Sequence, residues 1–219
     1  SQAGYIDLRG TAVASLTRPV ATPDERRRAR AALLAARRAM PATARRAADA
    51  AIRARLCVLL ASRAWPLRER VIAAYWPMHG EPDLRPLFAD WVATGAGLAL
   101  PTVLERGAPL RFARHAPGGA LRAGAHGTVE PAGDEWLEPD VVLVPCVGFS
   151  ADGWRLGYGG GYYDRTLAGL SALLVGVAYD ESEVPGLRPE PHDVALDFIV
   201  TQERLVECAP PRASRRPGR

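Results

Sequence analysis

Residues 155–165 read RLGYGGGYYDR and combine four glycines with three tyrosines, two arginines and one aspartate. Glycine adopts left-handed backbone conformations easily and lets another molecule approach main-chain N–H groups closely. Exposed N–H groups of this kind often bind anions such as phosphate. A flexible turn between a strand and a helix would use the same glycines, so the rest of the sequence must decide between these two interpretations.

The basic residues of the chain exclude several kinds of nucleotide site. All 28 residues counted as lysine or arginine are arginines. A Walker A loop, a protein kinase and a Schiff-base enzyme each need a lysine, so the sequence excludes all three. The dinucleotide-binding pattern G-x-G-x-x-G is excluded as well, because Tyr162 stands at the position of its third glycine.

The composition is typical of a single globular domain with tails. The chain has 219 residues, of which 48% are hydrophobic and 24% charged. No apolar run is long enough to cross a membrane, and the first residues have no apolar segment of the signal-peptide type. The three cysteines are widely spaced and indicate neither a disulfide framework nor a metal knuckle. We therefore predict a cytoplasmic monomer that does not bind membranes.

The formal net charge of +4 arises mainly outside the predicted domain. Residues 209–219 contain four arginines and no acidic residue, so the remainder of the chain is close to neutral. We predict a flexible tail at residues 1–21, one domain at residues 22–208 and a disordered Pro/Arg-rich tail at residues 209–219. Because the domain itself has no basic excess, we do not expect nucleic acid as a partner; an arginine-rich nucleic-acid binder is the weaker alternative.

The predicted helices and strands alternate along most of the chain. Two helices, one beginning at a capping box of Thr22 and Glu25 and the other near residue 42, form an N-terminal helical pair. Further helices are expected at residues 83–95 and from residue 161 onward. Strands are expected at residues 70–77, 97–101, 110–116, 140–145, 172–180 and 198–201. This order predicts an α/β fold, a three-layer structure with a mostly parallel open sheet and helices on both faces.

Ligands of such sheets bind beyond the carboxyl ends of the strands. Three unusual loops stand next to predicted strands. Residues 76–83 and 146–164 follow the strands at 70–77 and 140–145, and residues 189–197 precede the strand at 198–201. Topology therefore predicts that these three loops converge on one site.

Several segments together resemble one known family. Residues 143–167, LVPCVGFSADGWRLGYGGGYYDRTL, resemble the signature of the 5-formyltetrahydrofolate cyclo-ligases, which are also called 5,10-methenyltetrahydrofolate synthetases. The basic helix with Arg26 and Arg30, the segment YWPMHGEPD and the segment PHDVALDFIVT stand in the order that the family has. The resemblance extends from about residue 24 to residue 206, and the glycine loop is its most specific part.

The resemblance implies an enzyme that converts 5-formyltetrahydrofolate to 5,10-methenyltetrahydrofolate with ATP and Mg²⁺. In that reaction the γ-phosphoryl group of ATP is transferred to the formyl oxygen, N10 of the folate attacks the activated carbon, and phosphate leaves. The protein contributes mainly positioning and charge neutralisation. A non-catalytic folate- or nucleotide-binding module on the same fold is the alternative that the sequence leaves open.

The resemblance also implies a role for particular residues. Arg155, Tyr158 and Tyr162 would be catalytic, and Asp164 and Asp193 would hold Mg²⁺. The nucleotide would contact Arg26, Arg30, Arg155, Leu156, Gly157, Tyr158, Gly159, Gly160, Gly161, Tyr162 and Tyr163. The folate would contact Trp76, Met78, Glu81, Tyr158, Gly159, Gly160, Gly161 and Tyr162, with the Glu81 carboxylate accepting N–H groups of the pterin.

Some of these residues also have ordinary structural interpretations. Asp164 can stabilise the first turn of its helix, Asp193 can cap a turn, and Glu81 can be a surface residue. His192 is expected to be a surface or structural histidine. Three positions depart from the pattern of the family: Arg26 replaces a common lysine, Gly160 replaces a basic residue of some relatives, and Ser150 replaces a common aspartate, where we expect it to bond within a turn.

Overall fold

A computed structural model describes residues 19–63 and 66–208 of the chain. Residues 1–18 of the predicted N-terminal tail (residues 1–21) and the predicted tail at residues 209–219 lie outside the described residues. Val20, which the prediction placed in the first tail, is buried, and its N–H donates to the Gly186 carbonyl at 2.8 Å. Helix α1 (Pro23–Ala39) begins at the predicted capping box, in which the Thr22 hydroxyl accepts from the Glu25 N–H at 3.2 Å and the Glu25 carboxylate accepts from the Thr22 N–H at 2.8 Å. Helix α2 (Ala42–Ala61) follows after Pro41 and completes the predicted helical pair.

Two shorter helices and eleven strands make up the rest of the described secondary structure, apart from 3-10 turns. The helices are α3 (Phe88–Ala93), preceded by a 3-10 turn (Arg85–Leu87), and α4 (Tyr162–Leu167). The strands are β1 (Val71–Ala73), β2 (Gly97–Thr102), β3 (Arg111–Arg114), β4 (Leu121–Ala123), β5 (Val129–Pro131), β6 (Val141–Pro145), β7 (Gly148–Phe149), β8 (Arg155–Leu156), β9 (Leu173–Val177), β10 (Phe198–Val200) and β11 (Leu205–Glu207).

Seven strands form the central sheet in the order β11-β10-β9-β6-β1-β2-β3. The five inner strands run parallel to one another. The edge strands β3 and β11 are antiparallel to their neighbours β2 and β10. The predicted mostly parallel α/β sheet is therefore confirmed. Strand β11 and the hairpin β7–β8 were not predicted as strands, because strands of two or three residues show too little alternation to be recognised. The hairpin β4–β5 lies in the stretch up to about residue 133, for which the sequence suggests strands and turns without bounds.

The two faces of the sheet bury different residues, which confirms the predicted three layers. Alternate residues of β6 point to opposite sides: Leu143 packs on the side of α2 and α3, and Val144 packs on the side of α4. Residues of β6 are fully buried in both directions, as expected for an inner parallel strand. The predicted strand at residues 70–77 is shorter than expected, since the chain turns away from the sheet after Ala74 bonds to Ala99.

Helix α1 belongs to neither layer and packs in a third, smaller cluster. Ala29 and Leu33 of this helix contact Val147, Leu156 and Leu187. Gly148 allows this close approach, because a Cβ atom at that position would lie 2.7 Å from Leu33 Cδ1. The cluster fixes α1 beside the loop that follows β6, and this places the arginines of the helix next to the glycine-rich segment.

The direction of the strand connections reverses between β1 and β6. The chain runs from β1 to β2 on one side, whereas β6, β9 and β10 continue on the other. The carboxyl ends of two strands with diverging connections leave a crevice, which is where open α/β sheets bind ligands. The loops after β1 and β6 are two of the three loops that the sequence predicts to converge.

Candidate functional site

A cavity of about 600 Å³ lies at this crevice. Its wall comes from α1, from the loops after β1 and β6, from the hairpin β4–β5 and from residues 190–193. The structure thus brings the three predicted loops together. The predicted site residues that line the cavity are Arg26, Arg30, Trp76, Met78, Glu81, Arg155, Gly157, Tyr158, Gly159, Gly160, Gly161, Tyr162, Tyr163, Asp164 and Asp193.

Leu156 is the one predicted site residue that does not line the cavity. Its side chain is fully buried and packs against α1 with Leu33 and Val147. Its backbone pairs with Gly148 in the hairpin β7–β8. Leu156 therefore supports the glycine loop through its packing and its backbone pairing, and it has no described contact with the cavity.

The glycine loop needs left-handed backbone at two positions. Gly159 has φ 96° and Gly161, which precedes α4, has φ 65°. Only glycine adopts these values without strain. Two loop carbonyls are held by arginines: Gly157 accepts from Arg30 Nε at 2.6 Å, and Gly160 accepts from Arg165 Nη2 at 2.7 Å. The loop is therefore a defined structure rather than a plain flexible turn.

Arg155 and Asp164 form a buried ion pair at the base of this loop. Arg155 Nη2 lies 2.7 Å from Asp164 Oδ1, and the two side chains are 5% and 14% exposed. The Arg155 guanidinium also lies over the Tyr163 ring, 5.5 Å from its centre. Arg155 Nε is buried without a hydrogen-bond partner among the described residues, so this guanidinium retains one unused donor.

Arg26 and Asp193 form a second ion pair across the cavity wall. Arg26 Nη2 donates to Asp193 Oδ2 at 2.9 Å, and the same oxygen accepts from the Glu190 N–H at 2.9 Å. Asp193 therefore does close a turn, as its structural interpretation predicted. Its ligand atoms group with those of Glu190 and His192 within 4.8 Å, and Asp164 is not part of that group. His192 is largely exposed, in agreement with its predicted surface position.

Glu81 lies at the other end of the cavity and is 4% exposed, so its interpretation as a surface residue is wrong. A tight turn with left-handed His79 (φ 50°) and Gly80 (φ 75°) directs it inward. Its carboxylate accepts from the Met78 N–H at 2.9 Å and from the Tyr158 hydroxyl at 2.8 Å. Burial raises the pKa of Glu81 to about 7.

Apolar side chains line the space near Glu81. Trp76 is half-buried, with its ring 6.1 Å from the His115 ring and the Arg85 guanidinium 5.2 Å from its centre. The opposite wall, which the sequence did not predict, consists of Pro101, Val103, Leu110, Val129 and Glu130. A mostly apolar slot that contains the buried Glu81 and Glu130 carboxylates suits a flat ring that carries N–H donors.

Two functional features were missed by the sequence interpretation. Glu130 is 2% exposed and accepts from the Val103 N–H at 3.1 Å, so it ties the hairpin β4–β5 to the sheet. Arg37 is 4% exposed and contacts the Tyr158 hydroxyl. Its spacing of seven and eleven residues from Arg30 and Arg26 corresponds to two and three helical turns and could have identified it.

Ser150 corrects another expectation. A bond within a turn was predicted for its hydroxyl, but the buried Oγ has no hydrogen-bond partner among residues 19–63 and 66–208. The turn is closed by backbone bonds, from the Ser150 N–H to Trp154 and from the Gly153 N–H to Ser150. The side chain is therefore dispensable for the turn.

Comparison with known proteins agrees with this geometry. The family model described as "5-formyltetrahydrofolate cyclo-ligase family" matches residues 22–202. The chain belongs to this family. A 5-formyltetrahydrofolate cyclo-ligase of Mycolicibacterium smegmatis is 34% identical over 195 residues, which cover 84% of this chain and 96% of that protein. The Escherichia coli K12 cyclo-ligase is 32% identical over 145 residues, 62% of this chain and 80% of that protein.

Solved structures of family members have the same fold. The 5,10-methenyltetrahydrofolate synthetase of Aquifex aeolicus matches with a TM-score of 0.72 and 31% identity, covering 86% of this chain and 95% of that one. The synthetase of Mycoplasma pneumoniae matches with a TM-score of 0.66 and 25% identity, covering 81% and 98%. None of the helices in the described part of this cyclo-ligase family member has the length and apolar character needed to cross a membrane.

Proposed function

We propose that this chain converts 5-formyltetrahydrofolate to 5,10-methenyltetrahydrofolate and consumes ATP with Mg²⁺. The observation that carries the proposal is the arrangement of one cavity. Glu81, Arg26 and Arg30 line the same cavity, and the glycine loop contacts two of them: the Tyr158 hydroxyl donates to Glu81 at 2.8 Å, and the Gly157 carbonyl accepts from Arg30 at 2.6 Å. Membership of the cyclo-ligase family supports the same conclusion.

The reaction balances without a redox step. The formyl oxygen attacks the γ-phosphorus, and ADP leaves. N10 then attacks the activated carbon, the carbon–oxygen bond breaks with loss of inorganic phosphate, and the N10 proton goes to solvent. The product is a cation that is delocalised over N5 and N10. Because each step moves charge between oxygens and nitrogens, fixed charges and close positioning are the contributions expected from the protein.

At the folate end, Glu81 would bind the pterin. In the ligand-free cavity each of its oxygens accepts one hydrogen bond, from Met78 N–H and from the Tyr158 hydroxyl. A carboxylate oxygen has a second lone pair, so both oxygens can still accept the parallel N–H donors of a 2-amino-4-oxo ring. Trp76 and Met78 would supply apolar contact to the ring.

At the nucleotide end, the arginines and the loop would hold the phosphates. Arg30 is half-buried, and it is already bonded to the loop through Gly157. Burial lowers the pKa of Arg30, as expected of a guanidinium placed where an anionic ligand can replace water. Arg155 and Tyr162 would contact the transferring phosphoryl group. Gly159 and Gly161 let arginines approach the loop backbone, because a Cβ atom would lie 3.4 Å from Arg30 Cζ at Gly159 and 2.6 Å from Arg165 Nη1 at Gly161.

The residues present fit a magnesium ion. Asp164 Oδ2 and Asp193 Oδ1 accept no hydrogen bond from the described residues, whereas the other oxygen of each carboxylate is bonded to an arginine. Hard carboxylate oxygens of this kind suit Mg²⁺. When bound, the ion would neutralise phosphate charge. Arg155 and Arg26 would hold the two carboxylates in place.

The experiment is to measure methenyltetrahydrofolate absorbance with the purified chain, 5-formyltetrahydrofolate, ATP and Mg²⁺. We expect product only when 5-formyltetrahydrofolate, ATP and Mg²⁺ are all added, with one ADP formed for each methenyltetrahydrofolate. A folded protein that binds both ligands without turnover would support the non-catalytic binding module instead. Such a module would be a folate or nucleotide sensor that uses the same cavity.

The cellular setting and the oligomeric state are also proposals. All three cysteines are free, and Cys146 and Cys208 are buried, which agrees with a reducing cytoplasm. We propose that the protein acts as a monomer, because few large apolar side chains are exposed among the described residues. Light scattering at working concentration tests this.

A further inference from the structure

Arg37 is a buried arginine for which the proposed reaction has no role. It lies on the last turn of α1 and is 4% exposed. No carboxylate among the described residues forms an ion pair with it. Its guanidinium instead donates to the Cys146 carbonyl, with the Val147 carbonyl at 3.5 Å, and to the Tyr158 hydroxyl at 3.3 Å. A buried charge of this kind needs a compensating partner.

The nearest candidate for that partner is reached through one side chain. The Tyr158 hydroxyl accepts from Arg37 and donates to Glu81 Oε1 at 2.8 Å. The three residues come from α1, from the glycine loop and from the loop after β1. Tyr158 therefore connects a buried cation to a buried carboxylate, and each hydrogen bond polarises the next one.

We propose that Arg37 is a positioning residue that holds the Tyr158 hydroxyl against Glu81 and keeps the Glu81 carboxyl anionic in the cavity. The inference deepens the proposed function and rests on it only for the identity of the ligand, because an anionic Glu81 is the form that accepts pterin N–H groups. The anchoring of Arg37 by two backbone carbonyls makes it a fixed charge rather than a mobile one.

Arg45 of α2 is a second cation near this turn: its Cζ would lie 3.4 Å from a Cβ atom at Gly80, and its Nη2 donates to the Arg37 carbonyl at 2.6 Å. The remaining titratable groups that face Glu81 do not supply a positive charge. They are Tyr75 after β1, Cys146 after β6, Tyr158 and, from α4, Tyr163. Burial raises the pKa of all four, so they are neutral near pH 7. Arg37 lowers the pKa of Glu81 and opposes the larger effect of burial. His79 lies in the same loop, with its ring 5.7 Å from the Tyr158 ring.

The test follows the Glu81 carboxyl itself in the ligand-free protein. Carbon-13 NMR of glutamate-labelled protein gives its titration midpoint, with Glu81→Gln for assignment. We expect a midpoint near 7 in the natural protein. Arg37→Gln removes the charge and leaves an N–H donor for the Cys146 carbonyl; we expect the midpoint to rise by roughly 1 pH unit. Arg37→Lys keeps a positive charge and should give a smaller rise.

Two further variants separate this role from a structural one. In a Tyr158→Phe background, Arg37→Gln should shift the Glu81 midpoint less than it does alone, because the connecting hydroxyl is gone. His79→Asn, which tolerates the left-handed backbone, should leave the midpoint unchanged. An unchanged Glu81 midpoint in folded Arg37→Gln would overturn the inference. So would an Arg37→Gln substitution that shifts the Glu81 midpoint equally in the natural protein and in Tyr158→Phe.

Folate binding gives a second and separable result. In Arg37→Gln the KM for 5-formyltetrahydrofolate should rise about fivefold at pH 7, because a smaller fraction of Glu81 is anionic, and should approach the natural value at pH 9. A rise that is the same at both pH values would mean structural damage and would count against the inference. If the NMR midpoint shifts but the folate binds at no pH, the Arg37 inference stands and the proposed function fails.

Discussion

Glu81 is the residue whose burial has the clearest thermodynamic consequence. Its pKa is raised from the ordinary value of 4.5 to about 7, because the charged form loses hydration. Between these pH values the folded protein binds a proton that the unfolded chain releases. The free energy of unfolding therefore falls as pH rises from about 4.5 to 7, and it stays low above that range.

This gives a prediction for Glu81→Gln. The variant has no charge to bury, so it should be more stable than the natural protein at pH 8, by up to about 3 kcal/mol, and equally stable near pH 4.5. Urea unfolding at several pH values measures this, with exposed Glu105→Gln as the control. A difference that does not depend on pH would contradict it. The same variant should lose folate binding, because the carboxylate that would accept the pterin N–H groups is gone. A gain in stability with a loss of binding is the usual trade-off at a functional site.

Asp164 forms an ion pair with Arg155 and, in the proposed function, would also hold Mg²⁺; different substitutions separate these two roles. Asp164→Ala would leave the buried Arg155 guanidinium without its carboxylate, which costs about 3–5 kcal/mol. Asp164→Asn keeps an oxygen that accepts from Arg155 and should lose less stability. If Asp164 holds Mg²⁺, both variants should lose most of their turnover, and Asp164→Asn should need more Mg²⁺ for what remains.

Thermal unfolding and the dependence of turnover on Mg²⁺ concentration test this prediction. Arg114→Gln, which breaks an exposed ion pair with Glu135, is a control that should change neither quantity by much. If Asp164→Asn retained the natural turnover and the natural Mg²⁺ dependence, Asp164 would be a structural partner of Arg155 only.

At the scale of elements, the position of α1 depends on one glycine. A Cβ atom at Gly148 would lie 2.7 Å from Leu33 Cδ1 and 3.2 Å from Val184 Cγ2. We expect Gly148→Ala to cost about 1–3 kcal/mol of stability, because the well-packed cluster has to open. Since α1 carries Arg26 and Arg30 as well as Arg37, the variant should weaken the binding of both nucleotide and folate relative to the natural protein. Unfolding and calorimetry measure the two effects.

The control for this variant is Gly133→Ala, because nothing lies within 4 Å of a Cβ atom at that position. Leu33→Val removes the clashing methyl group and should restore part of the lost stability when combined with Gly148→Ala. If Gly148→Ala lost stability but bound both ligands as tightly as the natural protein, the position of α1 would not control ligand binding.

The sequence predicted those elements whose signals are local. The capping box at Thr22, the inner strand at residues 141–145 and the convergence of three loops were all predicted, because each depends on adjacent residues or on the general topology of parallel sheets. Arg37 and Glu130 were missed. Their roles depend on contacts over long sequence separations, such as the one between Arg37 and Tyr158, which no local pattern specifies.

At the scale of the whole molecule, the cavity joins parts of the chain that are otherwise separate. In the proposed function, α1 and residues 190–193 would form its nucleotide end, and the loop after β1 and the hairpin β4–β5 would form its folate end. The glycine loop lies between the two ends. A ligand that binds one end stabilises the folded protein by an amount set by its concentration and affinity, about 2.7 kcal/mol at a hundredfold excess over Kd.

The two ends should therefore respond separately to substitution. For a domain of this size, each ligand at that excess should raise the unfolding temperature by about 5–10 °C. Glu81→Gln should lose the shift caused by 5-formyltetrahydrofolate and keep the shift caused by a non-hydrolysable ATP analogue with Mg²⁺. Arg30→Met, which removes a cation from the other end, should do the reverse. Scanning calorimetry of the three proteins with each ligand alone gives the comparison. Loss of both shifts in both variants would mean that the substitutions damage one shared pocket, and the assignment of separate folate and nucleotide ends would then be wrong.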